Sequence, residues 1–154
     1  MKNTLYLFLT IFLLAQNLVS DDFTDNKNGT LTDSRTNLIW MKCSLGQDIN
    51  SQCSGDAAKY TWEEAFRECS NLRLLGKKWR LPSIEELFSL LKYNQLSPAI
   101  ESGSFPNTQS GYYWTSTMYI NLSNSAWIID FGSGYVYNNG KTYLGYHARC
   151  VVDL

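Results

Sequence analysis

The chain lacks most of the residues on which catalysis and metal binding usually depend. It has a single histidine, His147, and no Cys-x-x-Cys pair, which makes zinc binding by its cysteines the weaker interpretation. It has no Gly-x-Ser-x-Gly segment, and His147 lies beside a cysteine in a predicted strand, which argues against a Ser-His-Asp hydrolase. The pairs Glu63-Glu64 and Glu85-Glu86 fall at predicted helix starts, where they complement the helix dipole. We therefore predict that the protein is not an enzyme and holds no metal or cofactor.

An excess of charge of either sign is absent as well. The sequence has 13 basic and 14 acidic residues and a formal net charge of −1. No global field would attract nucleic acid, so we expect no nucleic-acid partner. The one local basic cluster consists of Arg73, Lys77, Lys78 and Arg80. We interpret Arg80 as a half-buried guanidinium that binds Glu85 or Glu86, because a guanidinium fork matches the geometry of a carboxylate.

A long hydrophobic run occurs only near the N-terminus. Lys2 precedes an apolar segment from Leu5 to Ala15, and a polar segment then leads to the small residue Ser20. Such a run is too short to span a bilayer, which needs about 20 apolar residues, but it is typical of a secretory signal. We predict a signal peptide at residues 1–20 and a single domain at 21–154, without a membrane span after cleavage. A membrane anchor that stays in place is the alternative.

Four cysteines follow the predicted signal peptide, and an even number in an exported chain indicates two disulfide bonds. Three pairings are possible. We favour Cys43 with Cys53, which closes a polar loop, and Cys69 with Cys150, which ties the first predicted helix to the last predicted strand. Export and disulfides place the protein outside the cytoplasm, either secreted, periplasmic or at the cell surface.

Two helices are predicted, each opening with a capping box. Thr61 is followed by Glu64 and Ser83 by Glu86, so each start has partners for its free backbone N–H groups. We expect the first helix to end at Gly76 and the second to fade at Tyr93. The apolar stripe of the first helix is Trp62, Ala65, Phe66, Cys69 and Leu72, and that of the second is Ile84, Leu87, Phe88 and Leu91.

Strand signals lie on both sides of these helices. Asn28-Gly29 predicts a tight turn in a strand pair between Phe23 and Trp40. Beyond Pro98 the sequence becomes rich in aromatic and turn residues. We predict strands at 112–116, 126–130, 134–137 and 147–152, with a hairpin turn at 131–134. Helices followed by a run of strands indicate an α+β fold.

The last third of the chain has more tyrosine and tryptophan than a core needs, interleaved with amide side chains. Aromatic side chains with polar tips often lie half exposed, and such a surface suits a sugar or a protein. We predict a ligand-binding surface made of Tyr119, Asn121, Asn124, Tyr135, Tyr137, Asn138, Asn139, Lys141 and Tyr143. The alternative is ordinary packing of a sheet and its loops.

Seven ordered groups of residues resemble the bacterial DUF1566 domain, also called the Lcl C-terminal domain, which ends a Legionella collagen-like adhesin. The resemblance covers essentially all of the chain after residue 20. Its residues are Phe23-Thr24-Asp25 through Gly29-Thr30 and Asp33, Thr36 to Trp40, Tyr60-Thr61-Trp62 with Ala65 and Cys69, Trp79-Arg80-Leu81-Pro82, Glu86-Leu87, Tyr113-Trp114-Thr115-Ser116 and Arg149-Cys150-Val151.

The resemblance implies a variant of the C-type lectin fold, with two helices packed on a twisted antiparallel sheet and the chain termini meeting in one hairpin. It also implies the Cys69–Cys150 bond. The residues that it assigns to the scaffold are Trp79, Arg80, Leu81, Pro82, Glu86 and Trp114.

Calcium-dependent C-type lectins use a Glu-Pro-Asn or Gln-Pro-Asp loop and a Trp-Asn-Asp strand. Here Phe105 precedes Pro106-Asn107, and Trp127 is followed by Ile128. We therefore expect no calcium site.

For function, the resemblance implies extracellular ligand binding or adhesion, including glycosaminoglycan binding in the collagen-like member. This chain has no collagen repeat and is slightly acidic, and both weaken the case for heparin-like ligands. We expect an exported, non-catalytic domain that binds an extracellular glycan or protein. A structural component of the cell envelope is the alternative, and an enzyme of the formylglycine-generating type is a distant third. The sequence does not indicate an oligomeric state.

Overall fold

A computed structural model describes residues 22–154, so the signal peptide predicted at residues 1–20 lies outside the described part. The fold is α+β, with two helices and two antiparallel sheets among these residues. In chain order the elements are β1 (Phe23–Asp25), β2 (Thr30–Asp33), β3 (Leu38–Met41), α1 (Trp62–Asn71), α2 (Ile84–Phe88), β4 (Tyr112–Met118), β5 (Ser125–Asp130), β6 (Tyr135–Gly140) and β7 (Val151–Asp153).

The first sheet has the order β1-β2-β3-β7 and is antiparallel throughout. Its first turn contains Asn28-Gly29, as predicted, and Gly29 has a φ of +83°. A Cβ at Gly29 would lie only 2.1 Å from Cδ1 of Ile49, so both the conformation and the close approach favour glycine. The expected strand pair has a third member, β3. The first and last strands share this sheet but do not form one hairpin, because β2 and β3 lie between β1 and β7.

The second sheet has the order β4-β5-β6, so β4 and β6 are its edge strands. The hairpin between β5 and β6 turns at residues 131–134, as predicted. Its turn is held by the carboxylate of Asp130, which accepts hydrogen bonds from the Gly132 N–H at 2.7 Å and the Ser133 hydroxyl at 2.6 Å. The last predicted strand is shorter than expected and begins at Val151 instead of His147.

Both helices open with the predicted capping boxes at Thr61 and Ser83. They are shorter than expected, since α1 ends at Asn71 and α2 at Phe88. Two phenylalanines assigned to the inward stripes are in fact half exposed, Phe66 at 45% and Phe88 at 43%. Short helices offer a narrow buried face, and these rings pack at the surface instead, Phe66 against Trp62 and Phe88 against Tyr93.

The hydrophobic core has two parts, one on each face of the second sheet. Tyr113 and Ile129 belong to one part, whereas their chain neighbours Trp114 and Ile128 belong to the other. This follows from the alternation of side chains along a strand. Because both faces of the second sheet pack against the core, the sheet is a rigid support for the side chains at its edge.

Two disulfide bonds join Cys43 to Cys53 and Cys69 to Cys150, which confirms the favoured pairing. The first fixes the loop after β3, and the second ties α1 to the segment that leads into β7. All four cysteines of the chain are therefore in disulfides. Formylglycine-generating chemistry needs a free cysteine pair, and the folded domain does not offer one.

The segment Trp79-Arg80-Leu81-Pro82 joins three parts of the fold. The indole N–H of Trp79 donates to the Leu74 carbonyl at 2.8 Å. Arg80 holds the Glu86 carboxylate with two hydrogen bonds of 2.7 Å and reaches Asp153 in β7 at 2.7 Å. Burial opposes ionisation of Glu86, but hydrogen bonds from Arg80 and the Ser83 N–H outweigh it, so the pKa of Glu86 lies below its ordinary value. These contacts are those of a scaffold.

Candidate functional site

Five tyrosine side chains form a connected group of rings on and beside the second sheet. Ring centroids lie 6.5 Å apart for Tyr135 and Tyr137, 5.8 Å for Tyr137 and Tyr112, and 5.0 Å for Tyr112 and Tyr146. The ring of Tyr143 adds to this chain, 4.8 Å from Tyr146. We call these five residues the tyrosine cluster.

Sheet register explains why these rings meet. Tyr112 lies opposite Asp130 and Asp130 opposite Tyr135, so the three side chains share one face of the sheet. Two residues further along the strands, Tyr137 lies on that same face opposite Ile128. The exposed fractions are 37% for Tyr112, 65% for Tyr135, 43% for Tyr137 and 52% for Tyr143. The cluster thus presents four accessible rings.

Tyr146 anchors the cluster to the core. It is only 7% exposed, and its ring packs against Trp114 at a centroid distance of 4.9 Å. The indole N–H of Trp114 in turn donates to the Tyr60 carbonyl at 2.9 Å. Burial raises the pKa of Tyr146 above its ordinary value, so its hydroxyl is protonated at neutral pH. The exposed rings therefore rest on a fixed base.

Asn139, one of the predicted ligand-binding residues, has its amide engaged within the protein. Its Nδ2 donates to the hydroxyl of Tyr146, and its Oδ1 accepts the N–H of Gly140 at 2.7 Å. The side chain is half-buried. In this structure Asn139 positions Tyr146, so any effect on a ligand would act through that ring.

The other predicted residues lie elsewhere on the domain. Tyr119 packs edge-on against Trp127 at 5.0 Å, and Asn121 donates to the Tyr119 hydroxyl at 3.3 Å, both at the β4–β5 loop. Lys141 lies there too, with its ammonium 4.7 Å from the ring centroid of Trp62. Loop residue Asn124 and strand residue Asn138 complete the predicted set, and both are exposed.

The structure thus divides the predicted set. It brings Tyr135, Tyr137, Asn139 and Tyr143 together in or beside the tyrosine cluster. The side chain of Asn138 lies on the opposite face of β6 from Tyr137, because adjacent strand residues alternate. Tyr119, Asn121, Asn124 and Lys141 belong to the opposite end of the sheet from Asp130 and Tyr135.

Three residues of the surface were missing from the predicted site. Tyr112 and Tyr146 belong to the ring chain, and the carboxylate of Asp130 lies in the same cross-strand row as Tyr112 and Tyr135. Asp130 holds its hairpin with two hydrogen bonds, and an ionised carboxylate has about four acceptor positions, so it can also accept from a ligand hydroxyl. The signal available in the sequence was the spacing of two residues between Tyr135, Tyr137 and Asn139, which places their side chains on one face of a strand.

Apart from the tyrosine cluster, the structure has a polar cleft that is lined by no titratable side chain. This open cleft of about 540 Å³ is lined by Ser97, Pro98, Ser102, Asn107, Thr108, Gln109 and Ser110. The hydroxyl of Ser97 donates to the Gly132 carbonyl at 3.3 Å, which places the cleft beside the β5–β6 turn. Hydroxyl and amide groups offer hydrogen bonds to a neutral polar ligand. They supply no general acid or base.

Among residues 22–154, no three His, Cys, Asp or Glu side chains converge in a way that could hold a metal ion. None of the helices in this range is long and apolar enough to cross a bilayer.

His147 is buried and packs beside Tyr113, with ring centroids 5.2 Å apart. Its Nδ1 lies 3.0 Å from the carbonyl oxygen of Ala58. Burial lowers the pKa of His147 below its ordinary value of 6.5, because the charged form loses hydration, and the charge of Lys59 acts in the same direction. The ring is therefore neutral at pH 7 and serves packing.

We expect the free energy of unfolding to decrease as the pH falls from 7 to 5. The unfolded chain protonates His147 near pH 6.5, whereas the folded chain resists protonation, so acid favours the unfolded state. Asp25 adds little to this slope, because its carboxyl is ionised in both states above pH 5: its ordinary pKa is 3.8, and in the folded chain the Lys27 N–H and the Lys42 ammonium lower the pKa to about 2. The variant His147→Asn should show a flatter pH dependence, whatever its stability at pH 7. Urea unfolding at several pH values measures both slopes, and equal slopes would assign the effect to another group.

Comparison with known families gives one match. The model of the Lcl C-terminal domain family matches residues 29–152, a range that includes both disulfides, both helices and the tyrosine cluster. No curated protein matches the chain. With most of its length matched, this chain belongs to the Lcl C-terminal domain family.

Proposed function

We propose that this chain is an exported, non-catalytic binding domain of C-type lectin-like fold. It recognises a glycan or a protein at the bacterial cell surface or outside the cell, in the manner of an adhesin. The observation that carries the proposal is the tyrosine cluster, in which the accessible rings of Tyr112, Tyr135 and Tyr137 are in contact on a rigid sheet and that of Tyr143 joins them through the buried Tyr146. Tyrosine supplies a large contact area at low entropy cost and a hydroxyl for hydrogen bonds, which suits recognition of sugars and of protein surfaces.

The chemistry of the surface favours a glycan of low charge. The carboxylate of Asp130 lies in the same cross-strand row as Tyr112 and Tyr135, and the hydroxyl- and amide-lined cleft lies beside the β5–β6 turn that Asp130 holds. Sugars offer apolar ring faces for stacking and hydroxyls that donate to such acceptors. The only cation among the residues predicted to bind ligand, Lys141, is already held by the Ser123 carbonyl at 3.0 Å and lies over Trp62. A polyanion would therefore gain little at this surface.

Two disulfides support an oxidising location, because such bonds persist outside the cytoplasm. This agrees with a secreted, periplasmic or surface-associated protein.

Replacement of one exposed ring tests the proposed surface. We expect Tyr137→Ala to weaken binding to the ligand found on a glycan and matrix-protein panel by about tenfold or more, because a central aromatic contact usually carries that much energy. Tyr137→Phe keeps the ring and should retain most of the affinity. Phe66→Ala is the matched control, since Phe66 is a half-exposed aromatic residue on α1. Binding should be unchanged by a calcium chelator.

A structural component of the cell envelope remains the second candidate. The end of β4 and the β4–β5 loop favour it, because the apolar side chains of Met118, Ile120 and Leu122 are 58%, 93% and 58% exposed. Such side chains suit a protein contact. Failure of the purified domain to bind any glycan, matrix protein or cell surface would favour this candidate over the first.

A further inference from the structure

The outer side of β6 carries backbone groups that are free to pair. Lys141 N–H donates to the Asn124 carbonyl at 2.9 Å, in the same register as the β5–β6 pairs. In an antiparallel ladder hydrogen-bonded pairs recur every second residue, so residues 135, 137 and 139 face β5 and residues 136, 138 and 140 face outward. Within residues 22–154, the N–H and C=O groups of Val136 and Asn138 have no hydrogen-bond partner.

The outward-facing backbone groups of Gly140 already have hydrogen-bond partners within the chain. The N–H of Gly140 donates to the Asn139 side chain at 2.7 Å, and its carbonyl accepts from Tyr143 N–H at 3.0 Å. The open part of the edge is therefore centred on Tyr137 and offers two donors and two acceptors.

The strand has none of the features that usually prevent edge pairing. Its six residues, Tyr-Val-Tyr-Asn-Asn-Gly, include no charge and no proline, and its register with β5 has no bulge. The edge strand β1 of the other sheet is only three residues long.

We propose that two copies of this chain associate through antiparallel pairing of their β6 strands about a two-fold axis at Tyr137. Val136 of one copy then lies opposite Asn138 of the other, and the two pairs form four backbone hydrogen bonds. The same patch meets itself, as a two-fold interface requires. The result is one continuous sheet of six strands.

The side chains fit this register. On the tyrosine face, the two Tyr137 rings lie directly opposite each other, and Tyr135 lies opposite Asn139 of the second copy. Aromatic pairs in this position stabilise a sheet. Lys141 would lie opposite Ser133, so no like charges face each other across the axis.

Pairing would place both tyrosine clusters on the same face of the joined sheet. Adjacent copies would then bind a repeating ligand at two places, which raises affinity without new contacts. The association itself requires no ligand and goes beyond the binding proposed above.

The mass of the purified exported protein in a dilution series tests the dimer. We expect sedimentation equilibrium to give a dimer that dissociates on dilution. Asn138→Pro removes the outward N–H but leaves the ladder to β5 intact, so this variant should be monomeric. Asn138→Ala keeps the N–H and should remain dimeric. If Asn138→Pro fails to fold, charged substitutions at Tyr137 test the dimer instead.

Tyr137→Lys and Tyr137→Glu place like charges across the axis, and each should weaken association by roughly tenfold or more. A mixture of the two variants should form a heterodimer, because opposite charges then meet. A wild-type protein that is monomeric at all concentrations overturns the proposal. So does a dimer that none of these changes affects, or a charge pair that does not associate when mixed. Mass is measured without ligand, so the result is independent of the binding test.

Discussion

Removal of the disulfide between Cys69 and Cys150 is expected to cause one of the two largest losses of stability in the protein. The bond closes a loop of 81 residues, for which the chain-entropy model gives about 4.5 kcal/mol. The free energy of unfolding of a small domain is about 5–15 kcal/mol, so this loss is a large fraction of the total stability. Both sulfurs belong to fully buried residues, and Cys69→Ala with Cys150→Ala also removes packing between α1 and the core. Denaturant unfolding under non-reducing conditions measures the effect.

The bond between Cys43 and Cys53 supplies a matched control. It closes only 10 residues, for which the same model gives about 3 kcal/mol. The double alanine variant at these positions should therefore lose less stability. If removal of the long bond costs no more than removal of the short one, the long loop is already restricted in the unfolded state.

Signals that act over a few residues were sufficient to predict many local features. The capping boxes at Thr61 and Ser83 and the turn at Asn28-Gly29 depend on nearby backbone groups, and all three formed as expected. Phe66 and Phe88 were wrongly placed inside, because helical periodicity gives a face but not the width of the surface that covers it.

The tyrosine cluster shows why the site was harder to predict than the fold. The spacing of Tyr135 and Tyr137 places them on one side of a strand, and this was visible in the sequence. Contact with Tyr112 depends on the β4–β5 register, and contact with Tyr146 depends on how the chain returns after β6. The amide-rich composition, by contrast, did not show that the Asn139 side chain would be engaged in a hydrogen bond to Tyr146.

Arg149 is a fully buried cation without a carboxylate partner among the described residues. Its guanidinium donates to the carbonyls of Met41 and Lys42, to the Ser44 hydroxyl at 3.2 Å and to the Thr108 hydroxyl at 2.7 Å. It thereby joins the end of β3 to the wall of the polar cleft. Burial lowers the pKa of Arg149 to about 10, so the group remains charged at neutral pH.

We expect Arg149→Met to destabilise the protein by about 3 kcal/mol. Methionine fills much of the space and removes the buried charge, but it removes the donor to the carbonyls of Met41 and Lys42, and each unsatisfied buried acceptor costs about 1–3 kcal/mol. Arg149→Lys should also be destabilising, because a single ammonium cannot reproduce the planar fork that reaches four acceptors.

Arg67→Met is the control, since the Arg67 side chain is 62% exposed and the change should shift stability by no more than about 0.5 kcal/mol. Urea unfolding of the three variants beside the wild-type protein measures these differences. A stable Arg149→Met protein would mean that water or a local shift satisfies the acceptors. A large loss would show that this buried guanidinium holds the end of β3 against the wall of the polar cleft.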